Sequence, residues 1–552
     1  MRTLILWTAF CLTFSNGRRN GDPIVFTSKG SMRGSIIKSV LGRDIYSFRK
    51  IPYAKAPVGE LRFKLPVPTD SWTGMYDATA DGPACPQPII QPNSEDCLFL
   101  NVYSTKLPKR GYNPKRPVIF YVHPGGHYIY TGNSNWAGPH YLLDQDVVFV
   151  TINYRLAVLG FLSTGDKLAP GNNGMKDQVL ALKWVNENIL AFGGDPNRVT
   201  LVGYSAGGGS VISHMFSKMS KGLFHNVVAM SGTFFAQAPF GNHQLNLAQK
   251  QARLVGCPDD TSENIINCLK NVSAKALGDS FWGFAEFGTD PAVLWQQVFE
   301  LDFGQERFLT EHPITSASRG DFAKVPYMSG FTTDEVSYLA RDVLENPQLR
   351  KEMDEDFPRV APISFIYERN TTRSFNISRV LRKKFLGDGP LDNSSFTGLG
   401  HLYSDSLVEF GINRGVKLIS DKNTKNTYYY RFSFKGRYSH VYLPNTTIPY
   451  GTVHHDDLLY MVTMSPQFPI FNVTDPEYTM VRKLTSILAN FAYTGNPIPY
   501  QTNHLDNAHW TPFTRVNNKY MDIGEKLQMK ENLNEERYSV WNELFPVSDY
   551  LN

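Results

Sequence analysis

The segment VTLVGYSAGGGSV at Val199–Val211 places the strongest restriction on the fold. An apolar, β-branched run leads directly into a serine between glycines, Gly203-Tyr204-Ser205-Ala206-Gly207, and a helix-like segment follows. Only residues without a Cβ allow a strand and a helix to approach closely across so short a turn. The pattern predicts a strand–turn–helix unit that exposes the Ser205 hydroxyl at a sheet end. Taken alone, the pattern is consistent with a nucleophilic serine or with a tight structural turn.

Short apolar runs elsewhere predict a sheet that is covered on both faces. The runs are too short for helices and alternate little, which is typical of buried parallel strands. They lie at Pro117–Val122, Val147–Ile152, Val199–Tyr204 and Asn226–Met230. Between them, Asp177–Leu190 has a helical stripe of Val179, Leu182, Val185 and Ile189. The order predicts a central sheet between layers of helices.

A later helix has signals at both of its ends. Asp475-Pro476-Glu477 is a cap residue followed by proline, which is typical of a helix start, and Gly495 is typical of a helix end. These signals predict a helix that begins at Asp475 and stops at Gly495.

Composition indicates one large globular domain. The chain has 552 residues, of which 42% are hydrophobic, and we find no repeat or low-complexity linker. The formal net charge of +4 is a mixture of both signs. The one basic concentration, Lys106–Arg116, is interrupted by Pro and Gly, so we interpret it as a solvated loop rather than a nucleic-acid-binding patch.

The N-terminus predicts secretion. Residues 1–17 contain Arg2, an apolar run of about a dozen residues and then small or polar residues, which is the pattern of a signal peptide. The alternative is a buried N-terminal strand. The chain contains no apolar run of the length that a membrane anchor needs, and the C-terminus has no retention or lipid-anchor signal. We therefore expect a secreted domain over residues 18–552, without a membrane anchor.

Cysteines and glycosylation motifs agree with an extracellular protein. Once Cys11 is removed with the signal peptide, four cysteines remain in two short-range couples: Cys85, Cys97, Cys257 and Cys268. Two disulfides are one interpretation and zinc is the other, although the spacings match no common zinc pattern. Six Asn-x-Ser/Thr motifs predict glycan sites on a secreted surface. They begin at Asn271, Asn370, Asn376, Asn393, Asn445 and Asn472.

Many ordered motifs make the chain resemble the type-B carboxylesterase family, which includes insect esterases, vertebrate carboxylesterases and cholinesterases. The resemblance covers nearly all of residues 18–552 and implies an α/β-hydrolase fold, with a mostly parallel twisted sheet and helices on both faces. Its motifs are Ile51–Phe63, Ser94–Tyr103, Asn153–Ser163, Asp177–Ile189, Phe192–Gly208, Asp302–Phe308, Gly330–Glu335, Gly451–Asp457 and Phe491–Pro497.

The resemblance implies a catalytic triad in the chain order serine, acid, histidine. Ser205 is the expected nucleophile. A serine hydroxyl reacts only when a base takes its proton, and an acid must orient that base. The acid position falls on Glu335, just after an apolar strand, and Asp334 is the alternative. In GTVHHDD the base position falls on His454. His455 lies where relatives often have glycine, and a structural or substrate-facing role suits it better.

The resemblance also implies an oxyanion hole formed by the backbone N–H groups of Gly125, Gly126 and Ala206. This chain departs from the usual glycine run at Pro124, which has no N–H. The expected donors are the two glycines that follow, so the departure spares the hole. Losing one donor costs about 10²–10³-fold in rate. Tyr204 is a second departure, since relatives commonly carry Glu there, and we expect altered support of the site rather than lost activity.

The resemblance implies that Cys85 pairs with Cys97 and that Cys257 pairs with Cys268. The first loop is long in cholinesterases and carries a tryptophan that binds the choline cation. Here the loop is short and contains no tryptophan. This difference argues against a specialist for choline esters.

We therefore expect a secreted serine ester hydrolase that acts on neutral, lipophilic small-molecule esters through an acyl-enzyme, with no metal or cofactor. The aromatic segment Phe281–Phe287 could line its pocket or belong to the core. The rivals are a catalytically inactive adhesion or hormone-binding relative and a scavenger that deacylates slowly. The sequence specifies neither the oligomeric state nor the physiological ester.

Overall fold

The computed structural model describes residues 21–551 of the chain. The predicted signal peptide, residues 1–17, and Cys11 lie outside this range. Within it, no helix has both the length and the apolar character that crossing a membrane requires.

Residues 21–551 form two sheets, whose strands are numbered here in chain order. The strands are β1 (Ile24–Thr27), β2 (Gly30–Arg33), β3 (Ser35–Lys38), β4 (Asp44–Pro52), β5 (Met75–Asp77), β6 (Phe99–Ser104), β7 (Arg116–Val122), β8 (Val148–Ile152), β9 (Gly194–Tyr204), β10 (Asn226–Met230), β11 (Tyr327–Thr332), β12 (Thr427–Phe432), β13 (Lys519–Ile523) and β14 (Leu527–Glu531). The small sheet has the order β1-β2-β5. The large sheet has eleven strands in the order β14-β13-β12-β11-β10-β9-β7-β8-β6-β4-β3.

Helices cover the large sheet and fill the connections between its strands. The α-helices are α1 (Ala157–Phe161), α2 (Asn173–Asn188), α3 (Ala206–Phe216), α4 (Leu245–Leu254), α5 (Ser262–Leu269), α6 (Ala274–Asp279), α7 (Pro313–Arg319), α8 (Leu339–Glu345), α9 (Pro347–Glu355), α10 (Phe357–Ser364), α11 (Thr372–Leu381), α12 (Phe396–Ser404), α13 (Phe410–Lys422), α14 (Tyr478–Thr494) and α15 (Glu535–Leu544).

The centre of the large sheet is parallel and its margins are antiparallel. Every neighbouring pair from β8 through β7, β9, β10, β11 and β12 to β13 is parallel. The pairs β13–β14, β3–β4, β4–β6 and β6–β8 are antiparallel. All residues of β7, β8, β10 and β11 are buried. The four apolar runs of the sequence are thus strands of the predicted kind.

Each face of the sheet has its own hydrophobic core, because successive side chains of a strand point to opposite faces. In β7, Val118 and Phe120 belong to one core and Ile119 and Tyr121 to the other. The first core includes the predicted stripe, of which Val179, Leu182 and Val185 lie in α2 and Ile189 directly follows it. The second core includes the apolar face of α14. The predicted arrangement of helices on both faces is confirmed.

The ends of α14 confirm one signal and correct the other. Gly495 follows the helix in the left-handed conformation, at φ 70°, as a C-terminal glycine does. The predicted start at Asp475 is early, because the regular helix begins at Tyr478. The Asp475 side chain instead accepts the Asn472 N–H at 2.8 Å and pairs with Arg437 at 3.2 Å.

Two disulfides close short loops on the folded chain. Cys85 is bonded to Cys97, and Cys257 is bonded to Cys268. These pairs are those that the resemblance implied, and they leave none of the four cysteines as a zinc ligand. In the basic segment Lys106–Arg116, residues 106–115 form a largely exposed loop, and Arg116 is the buried first residue of β7.

Candidate active site

Ser205 lies in the predicted turn between β9 and α3. Its backbone has φ 54° and ψ −122°, a conformation that an L-residue holds only when its surroundings enforce it. The local reason for this conformation is that Gly203 and Gly207 lie very close to neighbouring backbone atoms. A Cβ on Gly203 would lie 2.1 Å from the Gly207 oxygen, and a Cβ on Gly207 would lie 2.2 Å from the Val122 oxygen. The glycines therefore let α3 begin directly at the ends of β9 and β7.

His454 and Glu335 meet although 119 residues separate them. The imidazole Nδ1 lies 2.5 Å from Glu335 Oε2, and the His454 backbone N–H donates to the Glu335 carbonyl at 2.8 Å. Glu335 is fully buried, and its Oε1 accepts the Thr332 N–H at 2.8 Å. A carboxylate held in this way makes Nδ1 the protonated nitrogen, which leaves Nε2 free to act as a base.

Asp334, the alternative acid, has a different position. Its Oδ2 accepts the backbone N–H of Thr452 at 2.9 Å. This bond ties the segment that carries His454 to the turn after β11. Asp334 therefore braces the loop, while its neighbour Glu335 contacts the imidazole.

Ser205 and His454 line the same cavity. The His454 ring also packs 5.3 Å, centroid to centroid, from the ring of Tyr204, which directly precedes the serine. Among the hydrogen bonds within residues 21–551, none joins Ser205 Oγ to His454. Such bonds are often long without substrate and tighten in the reactive complex.

The loop after β7 brings the predicted oxyanion donors to the same cavity. Because β7 and β9 are parallel neighbours, with Val122 opposite Gly203, the loop and the serine turn leave the sheet at one edge. Gly125, Gly126 and Ala206 all line the cavity beside Ser205. Ala206 is the first residue of α3, where a backbone N–H has no partner within the helix.

Two buried histidines that we did not select from the sequence support this loop. His123 stacks on Tyr154, with ring centroids 4.5 Å apart, and its Nδ1 lies 2.7 Å from the Pro124 oxygen. His127 contacts the Trp295 carbonyl and the hydroxyl of Ser210 in α3, each at 3.2 Å.

Burial lowers the pKa of both supporting histidines to about 4, so each ring is neutral at physiological pH. The Pro124 carbonyl accepts a hydrogen bond from the neutral His123 ring. Because this contact uses a backbone carbonyl, Pro124 can still anchor the loop although it has no N–H.

Tyr204 and Asp457 form a second buried group beside the candidate triad. The Tyr204 hydroxyl accepts the backbone N–H of His455 at 2.8 Å and lies 3.1 Å from Ser231 Oγ. Asp457 is also fully buried here, and burial raises its pKa to about 7. Tyr204 was noted in the sequence only as a departure from the family pattern, and no sequence signal indicated that it would hold His455.

The cavity has a volume of about 490 Å³ and a mostly apolar wall. The apolar and aromatic side chains of the wall include Tyr128, Phe234, Phe240, Phe281, Trp282, Val336, Leu339, Leu407 and Val408. The aromatic segment Phe281–Phe287 is divided between the two predicted environments. Phe281 and Trp282 line the cavity, whereas Phe284 and Phe287 belong to the hydrophobic core.

The model of the carboxylesterase family matches residues 21–541. Juvenile hormone esterase of Tribolium castaneum is 36% identical over 511 residues, which cover 88% of this chain and 85% of that protein. Esterase FE4 of Myzus persicae is 35% identical over 521 residues, 90% of each chain. The crystal structure of juvenile hormone esterase from Manduca sexta, with OTFP covalently attached, aligns with a TM-score of 0.81 at 28% identity, covering 96% of this chain and 99% of that one. The expected α/β-hydrolase fold is thereby confirmed.

Proposed function

The chain belongs to the carboxylesterase family, and we propose that it is a secreted hydrolase of lipophilic carboxylic esters that works through an acyl-enzyme on Ser205. The observation that carries the proposal is the contact between Glu335 and His454 at the wall of the cavity that Ser205 lines. A serine hydroxyl needs such an oriented base to become a nucleophile. The apolar wall favours neutral substrates.

In the first half-reaction, Ser205 Oγ attacks the ester carbonyl carbon while His454 Nε2 takes the hydroxyl proton. The carbonyl oxygen becomes an oxyanion, and the N–H groups of Gly125, Gly126 and Ala206 donate to it. Glu335 stabilises the imidazolium through Nδ1–H. The intermediate then collapses, the C–O bond to the alcohol breaks, and His454 returns its proton to the leaving oxygen.

In the second half-reaction, water takes the place of the alcohol. His454 removes a proton from the water as its oxygen attacks the acyl carbon, and the same donors hold the second oxyanion. Collapse releases the carboxylic acid and returns the proton to Ser205 Oγ. The cycle consumes one water and regenerates the enzyme.

Secretion is part of the proposal and has independent support. The asparagines of all six glycosylation motifs are exposed. Two disulfides are typical of an oxidising compartment. Expression of the full chain in insect cells should place the protein in the medium, with a mass that falls after N-glycan removal. A protein retained in the cells without glycans would contradict this part.

The test of the activity is hydrolysis of p-nitrophenyl butyrate by the purified protein and by Ser205→Ala. We expect steady turnover by the first and none above background by the second, with an organophosphate label mapping to the peptide that contains Ser205. A stoichiometric burst without turnover would indicate the slow scavenger, and unchanged activity in the variant would refute the mechanism. A panel from acetates to long-chain and juvenile-hormone-like esters then defines the substrate.

A further inference from the structure

His455, next to the proposed base, has a backbone conformation that histidine adopts rarely. Its φ is 80°, in the left-handed region that a glycine would occupy without penalty. A non-glycine residue in such a region costs about 1–3 kcal/mol and persists only where its surroundings enforce it. The side chain is therefore the feature to be explained, since a glycine would satisfy the backbone more easily.

The surroundings of His455 hold it from both sides. Its backbone N–H is bound by the Tyr204 hydroxyl at 2.8 Å, and the two rings pack with centroids 4.9 Å apart. On the other side it packs against His440 at 5.3 Å and Tyr130 at 5.6 Å. The two unusual residues of this chain, Tyr204 and His455, are thus in direct contact.

His440 is itself fixed, so the wall behind His455 is rigid. Its Nδ1 and its backbone N–H both contact Asp456 Oδ1, at 3.2 Å and 2.9 Å. Asp456 is buried and also accepts bonds from Ser439 Oγ and the Val453 N–H. His440 and His455 both line the cavity.

The His455 ring lies next to the residue that protonates the leaving alcohol. Its centroid is 4.4 Å from that of His454, the residue that must give its proton to the leaving oxygen. Proton transfer requires the oxygen to lie about 2.6–3.2 Å from the imidazole nitrogen. The first carbons of an alcohol bound at that distance lie within reach of His455, because its ring packs against the same imidazole and the residue lines the same cavity.

The His455 ring carries no charge, although a neutral imidazole keeps one N–H donor and one acceptor nitrogen. Burial, together with the neighbouring His454 and His440, lowers the pKa of His455 well below its ordinary value. The ring is therefore neutral at physiological pH. It occupies volume without adding a competing acid.

We propose that His455 is a specificity-determining residue that limits the size of the leaving alcohol and favours esters of small primary alcohols. The inference rests on the proposed function, since it uses the proton transfer from His454. It adds to that function the class of alcohol that the site accepts. Tyr204 serves as the positioning residue that keeps the His455 ring against the wall.

The experiment compares esters that share one acyl group. Methyl, ethyl, isopropyl and cyclohexyl hexanoate are titrated by acid release with the wild-type chain and with His455→Gly. We expect the ratio of kcat/KM for the cyclohexyl ester to that for the methyl ester to rise about tenfold or more in the variant, since a single methylene is worth about 10–200-fold in a hydrophobic pocket. His455→Asn, which tolerates the left-handed region, should give a smaller rise.

Phe234→Ala is the matched control. It also removes an aromatic ring from the cavity wall, but its ring neighbours are Phe216, Phe235 and Phe240 rather than either histidine. We expect it to change the alcohol ratio less than threefold. An unchanged ratio in both His455 variants, with all esters slowed equally, would show a merely structural residue and overturn the inference. A wild-type chain that hydrolyses none of the esters would instead overturn the proposed function.

Discussion

Replacing Glu335 with glutamine tests the orientation of the proposed base with little change of shape. The glutamine carbonyl can still accept the Thr332 N–H, which Glu335 Oε1 accepts at 2.8 Å. The amide NH₂ then faces His454 Nδ1, at the position where the carboxylate oxygen lies 2.5 Å away. Because an NH₂ group only donates, Nδ1 must become an acceptor and the ring proton must move to Nε2.

The magnitude follows from that change of tautomer. An imidazole protonated on Nε2 cannot take the Ser205 proton, and the analogous Asp→Asn change in a serine protease lowers kcat about 10⁴-fold. At 1.36 kcal/mol for each factor of ten, this loss is about 5.4 kcal/mol of activation free energy. We expect Glu335→Gln to reduce kcat by the same order while the fold persists.

The assay is p-nitrophenyl butyrate hydrolysis, with Asp334→Asn as the matched control and thermal unfolding as the check on folding. Asparagine at 334 keeps a carbonyl for the Thr452 N–H, so the control should lose less than tenfold in kcat. A folded Glu335→Gln variant that keeps more than a tenth of the wild-type kcat would contradict this role of the carboxylate. Equal losses of activity in the two variants would also contradict it.

Three further predictions concern the groups around the candidate triad. Tyr204→Phe leaves the His455 N–H without its acceptor, so the free energy of unfolding measured with urea should fall by about 1–3 kcal/mol; an unchanged value would contradict this contact. Asp457 has a pKa raised to about 7 by burial, so the folded state loses stability as the pH rises from about 4 to about 7. Asp457→Asn removes this loss, and its gain in Tm over wild type should increase from pH 4.5 to pH 8, whereas a gain independent of pH would count against the buried carboxyl. Gly126→Ala should lower kcat about 10²-fold or more, because φ is 59° and the new Cβ would lie 2.3 Å from the Tyr128 ring; activity within tenfold of wild type would exclude Gly126 as a needed donor.

The main strands were predictable because short, continuous apolar runs indicate strands that are buried on both faces. The run at Asn226–Met230 is a strand with those same ends, and Gly495 ends its helix as its lack of a Cβ allows. The start of that helix was harder to predict, since the Asp475 side chain is used by Asn472 and Arg437 rather than as a cap. Competition between local and distant partners is not visible in a local motif.

The candidate triad residues were identifiable from motif order, but their supports were not. His123 and His127 have no distinguishing spacing, and their contacts with the Pro124 and Trp295 carbonyls depend on how the loop after β7 folds and on what packs against it. The sequence likewise does not indicate which residues of the aromatic segment Phe281–Phe287 line the cavity and which belong to the core. Phe281 and Phe284 are chemically identical, and only the path of the chain turns one to the cavity and the other to the core.

The sequence by itself determined the strand–turn–helix that exposes Ser205, the parallel core and the family, because each depends on near neighbours in the chain or on ordered motifs. Tertiary structure alone decided that Glu335 lies against His454 and that Tyr204 holds His455 against the cavity wall. These contacts join segments more than a hundred residues apart, and their distances come from packing of the whole sheet rather than from any local preference.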